Sequence, residues 1–404
     1  MTIAQNPAVL ADFLLFAATL AGIAIFHRHT FAIALTGLGA IIVKKLLGEG
    51  FSEGAGLPGL FAHFAHEWVL LANLFLLLVG FALLARHFET SRIPDWMPSA
   101  LPDNWTGGFM LLVAIFVTSA FLDNIAAALI GATVARHVFR DRVRVGYLAA
   151  IVAASNAGGA GSVIGDTTTT MLWISGVSPL SVLPAYVAAG CALFVFGIPA
   201  SLAQQRHAPI VKDPSKGLRF SFRHVAVVVI VLAAAIAANV GANLLDANIL
   251  DEVPLIGLAV AAAIVLTIPM ARPDWSVVPG AARGAIFLLA LVSAASMMPV
   301  KSLPAPSWET TFALGFVSAV FDNIPLTALA IKQGNYDWGL LAYAVGFGGS
   351  MIWFGSSAGV AVAGLSREAR SVGRWVREGW YVAVAYVVGF SLFLALLGWN
   401  PESI

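Results

Sequence analysis

The sequence predicts an all-α integral membrane protein of about ten transmembrane helices, built as an inverted repeat with two re-entrant helical hairpins and two broken helices. Three observations predict it. Of 404 residues, 59% are hydrophobic and 11% charged, with a mean hydropathy of +0.89, whereas a soluble domain carries about a quarter charged residues. Apolar stretches of roughly 20 residues, long enough to cross a hydrocarbon core about 30 Å thick, recur along nearly the whole length. A seven-residue motif centred on Asp-Asn occurs twice, 199 residues apart.

Composition also excludes several classes. The formal charge of +1 gives no electrostatic footprint for nucleic acid, and the basic residues sit in short loops. A single cysteine, Cys191, lies inside an apolar run, where packing explains it; neither a disulfide framework nor a thiolate cluster can be built within one chain. The amino terminus lacks the basic region of a signal peptide and reads as an uncleaved first span.

In chain order the crossing segments are 9–26, 31–47, 68–88, 147–174, 180–201, 224–244, 253–271, 284–300, 338–364 and 380–398. Two further apolar segments, 109–138 and 310–333, are interrupted at their middle by Asp123-Asn124 and Asp322-Asn323. Each arm of the first, Phe109 to Leu122 and Ile125 to Val138, would be about 21 Å long as helix, too short for a crossing. Both segments therefore read as hairpins that enter and leave on one side.

The positive-inside rule tests that reading, because cytoplasmic loops retain an excess of Lys and Arg. With re-entrant hairpins the 22 basic residues divide 18 to 4, the minority being Lys44, Lys45, Lys301 and Lys332. With two full crossings instead, they divide 14 to 8. The hairpin topology is the more polarised one, and it puts a multi-pass chain in the cell's inner (plasma) membrane with both termini outside the cytoplasm.

Ser119-Ala120-Phe121-Leu122-Asp123-Asn124-Ile125 recurs as Ser318-Ala319-Val320-Phe321-Asp322-Asn323-Ile324, with five of seven positions identical. Each copy precedes a span broken by glycines and hydroxyl residues, and aligning Gly158 with Gly348 also sets Gly165 on Gly355 and Asp166 on Ser356. The chain thus divides into a first repeat over 1–205, a cytoplasmic linker over 206–223 and a second repeat over 224–404. Five crossings per repeat make the second enter from the opposite face. Both hairpin tips can then meet near the midplane, where unwound backbone and half-helix ends supply ligands.

Three acids, Asp123, Asp166 and Asp322, lie deep in apolar segments with nothing local to neutralise them. Each costs about 2.5 to 3.5 kcal/mol on insertion scales, so each needs a use or a partner. Turn formation accounts for Asp-Asn at a tip, but not for placing that turn in hydrocarbon twice. Carboxylate, amide, hydroxyl and freed carbonyl oxygens suit Na⁺ or another hard cation, and a buried carboxyl can hold a proton instead. The sequence places Asp123, Asn124, Asp166, Thr167 and Thr168 in a first site and Asp322, Asn323, Ser356 and Ser357 in a second, with Ser155 and Asn156 among the binding residues. Na⁺ is expected at subsets of Asp123, Asn124, Asp166, Asp322 and Asn323.

Other motifs are weaker. The Gly158 to Gly165 run lacks the strand-turn-helix context of a nucleotide loop. His63, His66 and Glu67 do not have zinc-protease spacing and fall at a span start, which favours a solvated or interfacial role. Trp68, Trp96, Trp105, Trp275, Trp338 and Trp399 stand at span ends, as interfacial anchors do, while Trp173 and Trp353 flank the broken spans.

The Asp-Asn tips, the segment Gly165-Asp166-Thr167-Thr168-Thr169-Thr170-Met171-Leu172-Trp173-Ile174, and Gly348-Gly349-Ser350 with Gly355-Ser356-Ser357-Ala358-Gly359-Val360 resemble NhaD-type sodium/proton antiporters of the ion transporter superfamily. The resemblance covers about 110 to 400. That superfamily, with its citrate transporter-like domain, also holds citrate and dicarboxylate symporters and arsenite efflux permeases. The resemblance implies a scaffold domain that often forms a homodimer, a moving domain of hairpins and broken helices, elevator-type motion and no cofactor beyond the transported Na⁺ and H⁺. Carboxylate symporters typically carry Ser-Asn-Thr at both tips, whereas both tips here bear Asp. Three buried carboxylates and no Arg or Lys in the pore-lining segments disfavour a multivalent anion. The reading is a secondary transporter exchanging Na⁺ or Li⁺ for H⁺ rather than an enzyme. The alternatives are Na⁺- or H⁺-coupled symport of citrate or dicarboxylates, efflux of arsenite or another anion, and a non-transporting membrane subunit.

Overall fold

The computed structural model describes residues 7–26, 29–48, 50–93, 101–211, 220–245, 252–366 and 368–403. Trp96 and five of the basic residues counted on the majority side, Arg28, Lys212, Lys216, Arg219 and Arg367, lie outside the described residues. The described chain is helical, with only isolated bridges at Phe51–Gly54 and Tyr336–Glu402. Among the described residues seven helices are long and apolar enough to cross a membrane: Pro7–Ile25, Thr30–Leu47, Gly56–Thr90, Pro179–His207, Phe222–Gly241, Trp275–Ser296 and Trp380–Leu397. Large apolar side chains such as Leu14, Val43, Val229 and Leu266 point outward from these and the shorter helices. A water-soluble fold would hide such side chains, so their outward face identifies a multi-pass membrane protein.

The remaining three predicted spans are interrupted or short. The segment 147–174 is a helix Val145–Ala160, a break and a helix Thr167–Ile174. The segment 338–364 runs as Trp338–Ala342, continues as a π-helix over Tyr343–Phe347, breaks, and resumes as Ser357–Ala363. The segment 253–271 is helical only over Leu255–Thr267, where Ile268 caps the helix and Pro269 follows. The third span begins at Gly56 rather than near 68, because Pro58 falls in the first turn, where a missing N–H is harmless, and the polar residues after it do not interrupt the helix. The two Asp-Asn segments are each two helices, Trp105–Ser119 with Asn124–Val138 and Trp308–Val320 with Asn323–Gln333.

The chain folds into two compact units that cut across its two halves. One comprises Met1–Leu84, Ala226–Ala305 and Ile324–Gly334; the other comprises Ala85–Val225, Pro306–Asn323 and Asn335–Ile404. In the first unit, Thr30–Leu47 packs on both Pro7–Ile25 and Val278–Ser296. A fourth acid, absent from the sequence reading of buried acids, sits here. Asp12 is fully buried and lies 2.5 Å from Lys44 Nζ and 2.8 Å from Lys45 Nζ. Its partners come from the next helix, more than thirty residues along the chain, so no local pattern reveals them.

His63 is also corrected. It is 1% exposed rather than solvated, with Nδ1 3.0 Å from Glu53 Oε2 and Nε2 3.0 Å from Ser296 Oγ, while His66 is exposed as expected. Tertiary packing of the helix Val278–Ser296 onto this face, invisible in the motif, closes it from solvent. Lys332, in the last turn of Asn323–Gln333, donates to the Ser296 carbonyl.

In the second unit, Val145–Ala160 is buried at all sixteen positions. Its Ala, Gly and Ser side chains let Trp105–Ser119, Asn124–Val138 and Ala185–His207 pack closely around it. Ala185–His207 in turn lies along Trp380–Leu397.

The Asp12 cluster yields a stability prediction. Asp12→Asn strands Lys45 without a counter-charge and should lower stability by about 3 kcal/mol, read as a drop in thermal midpoint in detergent. Asp12→Leu combined with Lys45→Met should recover more than half of that loss, since Lys44 is partly exposed and can turn outward.

Candidate functional site

The two breaks expose backbone carbonyls that ordinary helices would satisfy, and hydroxyl side chains meet them. Thr169 Oγ1 donates to Ser162 O at 2.6 Å and Thr170 Oγ1 to Val163 O at 2.9 Å. Ser162 Oγ donates to Ala120 O at 2.6 Å, tying the first break to the neck of the first Asp-Asn turn. The Thr167–Thr170 run therefore has two duties. Its second half repairs backbone, a role the sequence reading did not assign, and its first half, Thr167 and Thr168, is buried next to Asp166 in the chain.

Asp166 precedes the helix Thr167–Ile174 with extended backbone, φ −143 and ψ 146. It is 3% exposed, and its side chain makes no capping bond to that helix. Its Oδ1 accepts from Asn124 Nδ2 at 2.8 Å, and its Oδ2 is buried with no hydrogen-bond partner among the described residues. The π-helical turn brings Gly346 beside that oxygen. Thr168 Oγ1 is likewise buried without a partner.

Asparagine side chains join the broken spans. Asn124 Nδ2 donates its second proton to Asn156 Oδ1 at 3.1 Å. Asn156 Nδ2 donates to Ser350 Oγ at 2.9 Å and Ser356 Oγ at 3.1 Å. Ser356 Oγ also accepts from Gly359 N at 3.2 Å, capping the helix Ser357–Ala363. All five residues of this network are buried and belong to the second unit.

The structure thus brings together Asn124, Asn156, Asp166 and Ser356, and adds Ser350, which the sequence reading quoted in a motif without assigning. Asp322 forms a separate pair, its Oδ2 accepting from Ser357 Oγ at 3.3 Å. Asp123 and Asp322 are half-buried beside their buried neighbours Asn124 and Asn323. Thr167 is buried next to Asp166. Ser155 directs its hydroxyl to Val152 O at 2.9 Å on its own helix. Trp173 and Trp353 are both buried. Among the described residues no group of three His, Cys, Asp or Glu side chains gathers as a metal centre.

The two Asp-Asn segments and the broken spans after them make matching contacts. Ser119 Oγ donates to Ser155 O at 2.6 Å, and Ser318 Oγ to Val345 O at 2.7 Å. Gly158 lies against the Phe116 carbonyl and Gly348 against the Gly315 carbonyl, so closely that neither has room for a Cβ. Gly165 and Gly355 pack in the same way on the Ser119 and Ala319 carbonyls. Asp166 and Ser356 share one backbone conformation, the latter at φ −143 and ψ 152.

The fold and site define a multi-pass membrane protein with a buried carboxylate and amide network at two helix breaks, and acids so placed are costly unless they have a use. No family model matches the chain. It is similar to NhaD-type sodium/proton antiporters, as its motifs indicate. It is 28% identical to sodium/proton antiporter 1 of Arabidopsis thaliana over 71% of its own length and 53% of that protein, and so spans about half of that relative. To the Na⁺/H⁺ antiporter NhaD of Alkalimonas amylolytica it is 23% identical over 83% of its length and 79% of the other. To the Vibrio parahaemolyticus NhaD the identity is 26% over 65% and 73%. These relatives are named as transporters, not enzymes.

Asn156→Ala should remove an acceptor from Asn124 and two donors from Ser350 and Ser356, leaving buried groups unpaired. We expect a loss of about 1 to 3 kcal/mol, measured as a lower thermal midpoint with membrane insertion retained. Asn156→Asp replaces two donated hydrogen bonds with a second carboxylate near Asp166 and should be the more damaging of the two.

Proposed function

We propose that the protein is a secondary active transporter that exchanges Na⁺, or Li⁺, for H⁺ by alternating access. The observation that carries this reading is Asp166. One carboxylate oxygen is held by Asn124, and the other is buried without a well-formed hydrogen bond among the described residues, facing the Thr168 backbone and hydroxyl. Either a proton on Oδ2 or a hard cation shared with neighbouring oxygens satisfies that group, and the two exclude each other. A carrier that can move only when the carboxylate is satisfied then exchanges one for the other.

The roles follow from position. Asp166 is the exchanging acid, with Asn124 as its orienting amide and Asn156 as the link to Ser350 and Ser356. Asp123, Thr167 and Thr168 complete the first cation site; Asp322, Asn323, Ser356 and Ser357 form the second. Ser155, whose hydroxyl turns to Val152 O and whose carbonyl accepts from Ser119 Oγ, borders the site beside Asn156. The chain is an inverted repeat whose hairpins open to opposite faces, the reading that the 18 to 4 division of basic residues and the matching glycine contacts support. It resides in the inner membrane with both termini outside the cytoplasm. The unit with both broken spans is the moving part, and the other is the scaffold through which two copies would pair. No cofactor takes part.

Proteoliposome flux under an imposed pH gradient tests this function. Na⁺ or Li⁺ should drive proton movement with no carboxylate present; strict dependence on citrate or succinate would replace exchange with symport. Asp166→Asn should reduce exchange at least about a hundredfold, since it removes the group that titrates. Asp123→Asn and Asp322→Asn should also abolish it, with insertion preserved. Wild-type flux in all three variants would sink the mechanism.

Topology has its own check. Cys191→Ala leaves no cysteine, and single cysteines placed at Arg140 and Lys301 should then react with an impermeant maleimide from opposite faces. Labelling of both from one face would overturn the inverted arrangement.

A further inference from the structure

Outside the Asp-Asn network, the second unit holds a recess of about 370 Å³ where the helices Ala185–His207 and Trp380–Leu397 approach their ends. Two arginines line it. Arg144 stands at the start of Val145–Ala160, and Arg377 lies on the helix Val372–Glu378. The recess also contains Glu378, whose charge is opposed from two sides by Arg144 Nε at 3.5 Å and Arg374 Nε at 3.4 Å. These contacts are loose, and Arg374, which does not line the recess, also pairs with Glu368. Arg377 is exposed and makes no ion pair among the described residues.

Tyr381 gives an independent indication. It is 4% exposed and lines the recess, yet its hydroxyl, which lies against Gly146, has no hydrogen-bond partner among the described residues. That hydroxyl is not sealed from solvent: it opens to the recess beside Arg144 and Glu378, where an entering oxygen can accept from it. The wall is apolar at Pro199 and Ala203, and Trp380 stands at the mouth, 58% exposed, with its ring 6.0 Å from that of Tyr381.

Guanidinium groups recognise phosphate oxygens through paired N–H donors, and a phenol adds a third direction. An exposed indole at the end of a crossing helix sits at the level of the headgroups. A basic recess between crossing helices at that level favours anionic lipid. We propose that this recess binds the phosphate of an anionic phospholipid, with Arg144, Arg377 and Tyr381 donating to its oxygens and Trp380, Pro199 and Ala203 covering the glycerol and first acyl carbons. Free phosphate presents the same oxygens but nothing for the apolar wall to cover. The site is separate from the exchange residues and stands whether or not they exchange Na⁺ for H⁺.

The test is lipid retention by the purified full-length protein. Mixed micelles containing phosphatidylglycerol or phosphatidylcholine are titrated in, and bound lipid is counted by native mass spectrometry. Wild type should retain phosphatidylglycerol about tenfold more tightly than phosphatidylcholine, and millimolar inorganic phosphate should not displace it. R144Q/R377Q should lose the preference. Y381F removes only an unpartnered hydroxyl, so it should fold as wild type and bind about threefold more weakly. Unchanged retention in both variants, or equal retention of the two lipids, would overturn the proposal. Displacement by inorganic phosphate alone would overturn the lipid assignment in favour of a free anion.

Discussion

Backbone hydrogen bonding in a low-dielectric slab is the constraint on which the rest of this structure depends. A helix that breaks inside hydrocarbon leaves amides and carbonyls that water cannot reach, each costing several kcal/mol if unmet. Both breaks here are repaired from nearby side chains: Thr169, Thr170 and Ser162 serve carbonyls around the first, and Ser356 caps the helix after the second. The glycines between them belong to the same solution, because Gly158 and Gly348 let a neighbouring carbonyl approach where any Cβ would collide. Once the breaks are held in this way, the polar groups nearest to them are fixed relative to one another. The Asn124–Asn156–Ser350–Ser356 network is the consequence.

The two broken spans reuse one backbone and differ in one side chain. At matched dihedral angles, Ser356 uses its hydroxyl to cap Gly359 and accept from Asn156, so both its lone pairs are engaged. Asp166 makes no well-formed cap bond to its helix, and one of its oxygens faces Thr168 without a full hydrogen bond among the described residues. A neutral, saturated residue on one side and an unsaturated acid on the other make the halves chemically unequal despite their shared geometry. Under the proposed exchange, titration belongs to the first break, and the second serves as its fixed counterpart through Asn156.

Much of this was legible in the sequence. The breaks at 161–166 and 348–356 carry Gly and Ser at densities no uninterrupted span tolerates, and the Asp-Asn repeats announce the two turns. What stayed hidden is what depends on long-range contact. Asp12 finds its lysines on the next helix, and His63 is buried by a helix more than two hundred residues away. Ser350 looked like one more break residue because its partner, Asn156, lies 194 residues earlier. The resemblance pointed to two kinds of domain, but their boundaries cannot be read from apolar runs, since both units draw on both halves.

That division bears on how the two Asp-Asn turns differ. Every residue of the first, from Trp105 to Val138, belongs to the second unit, whereas the later one is divided at its tip: Pro306–Asn323 belongs to that unit and Ile324–Gly334 to the other. The chain therefore passes between units immediately after Asp322-Asn323 and again at Gly334-Asn335, both of which have positive φ. Left-handed backbone at Asn335 is tolerated because a short amide side chain offsets the steric cost. The return arm is fixed within its own unit by Lys332, which donates to the Ser296 carbonyl. The second turn has one arm in each unit, yet Asp322 and the Ser357 hydroxyl it accepts from both lie in the second unit, so that pair is held by one unit's own contacts and the division falls just after it.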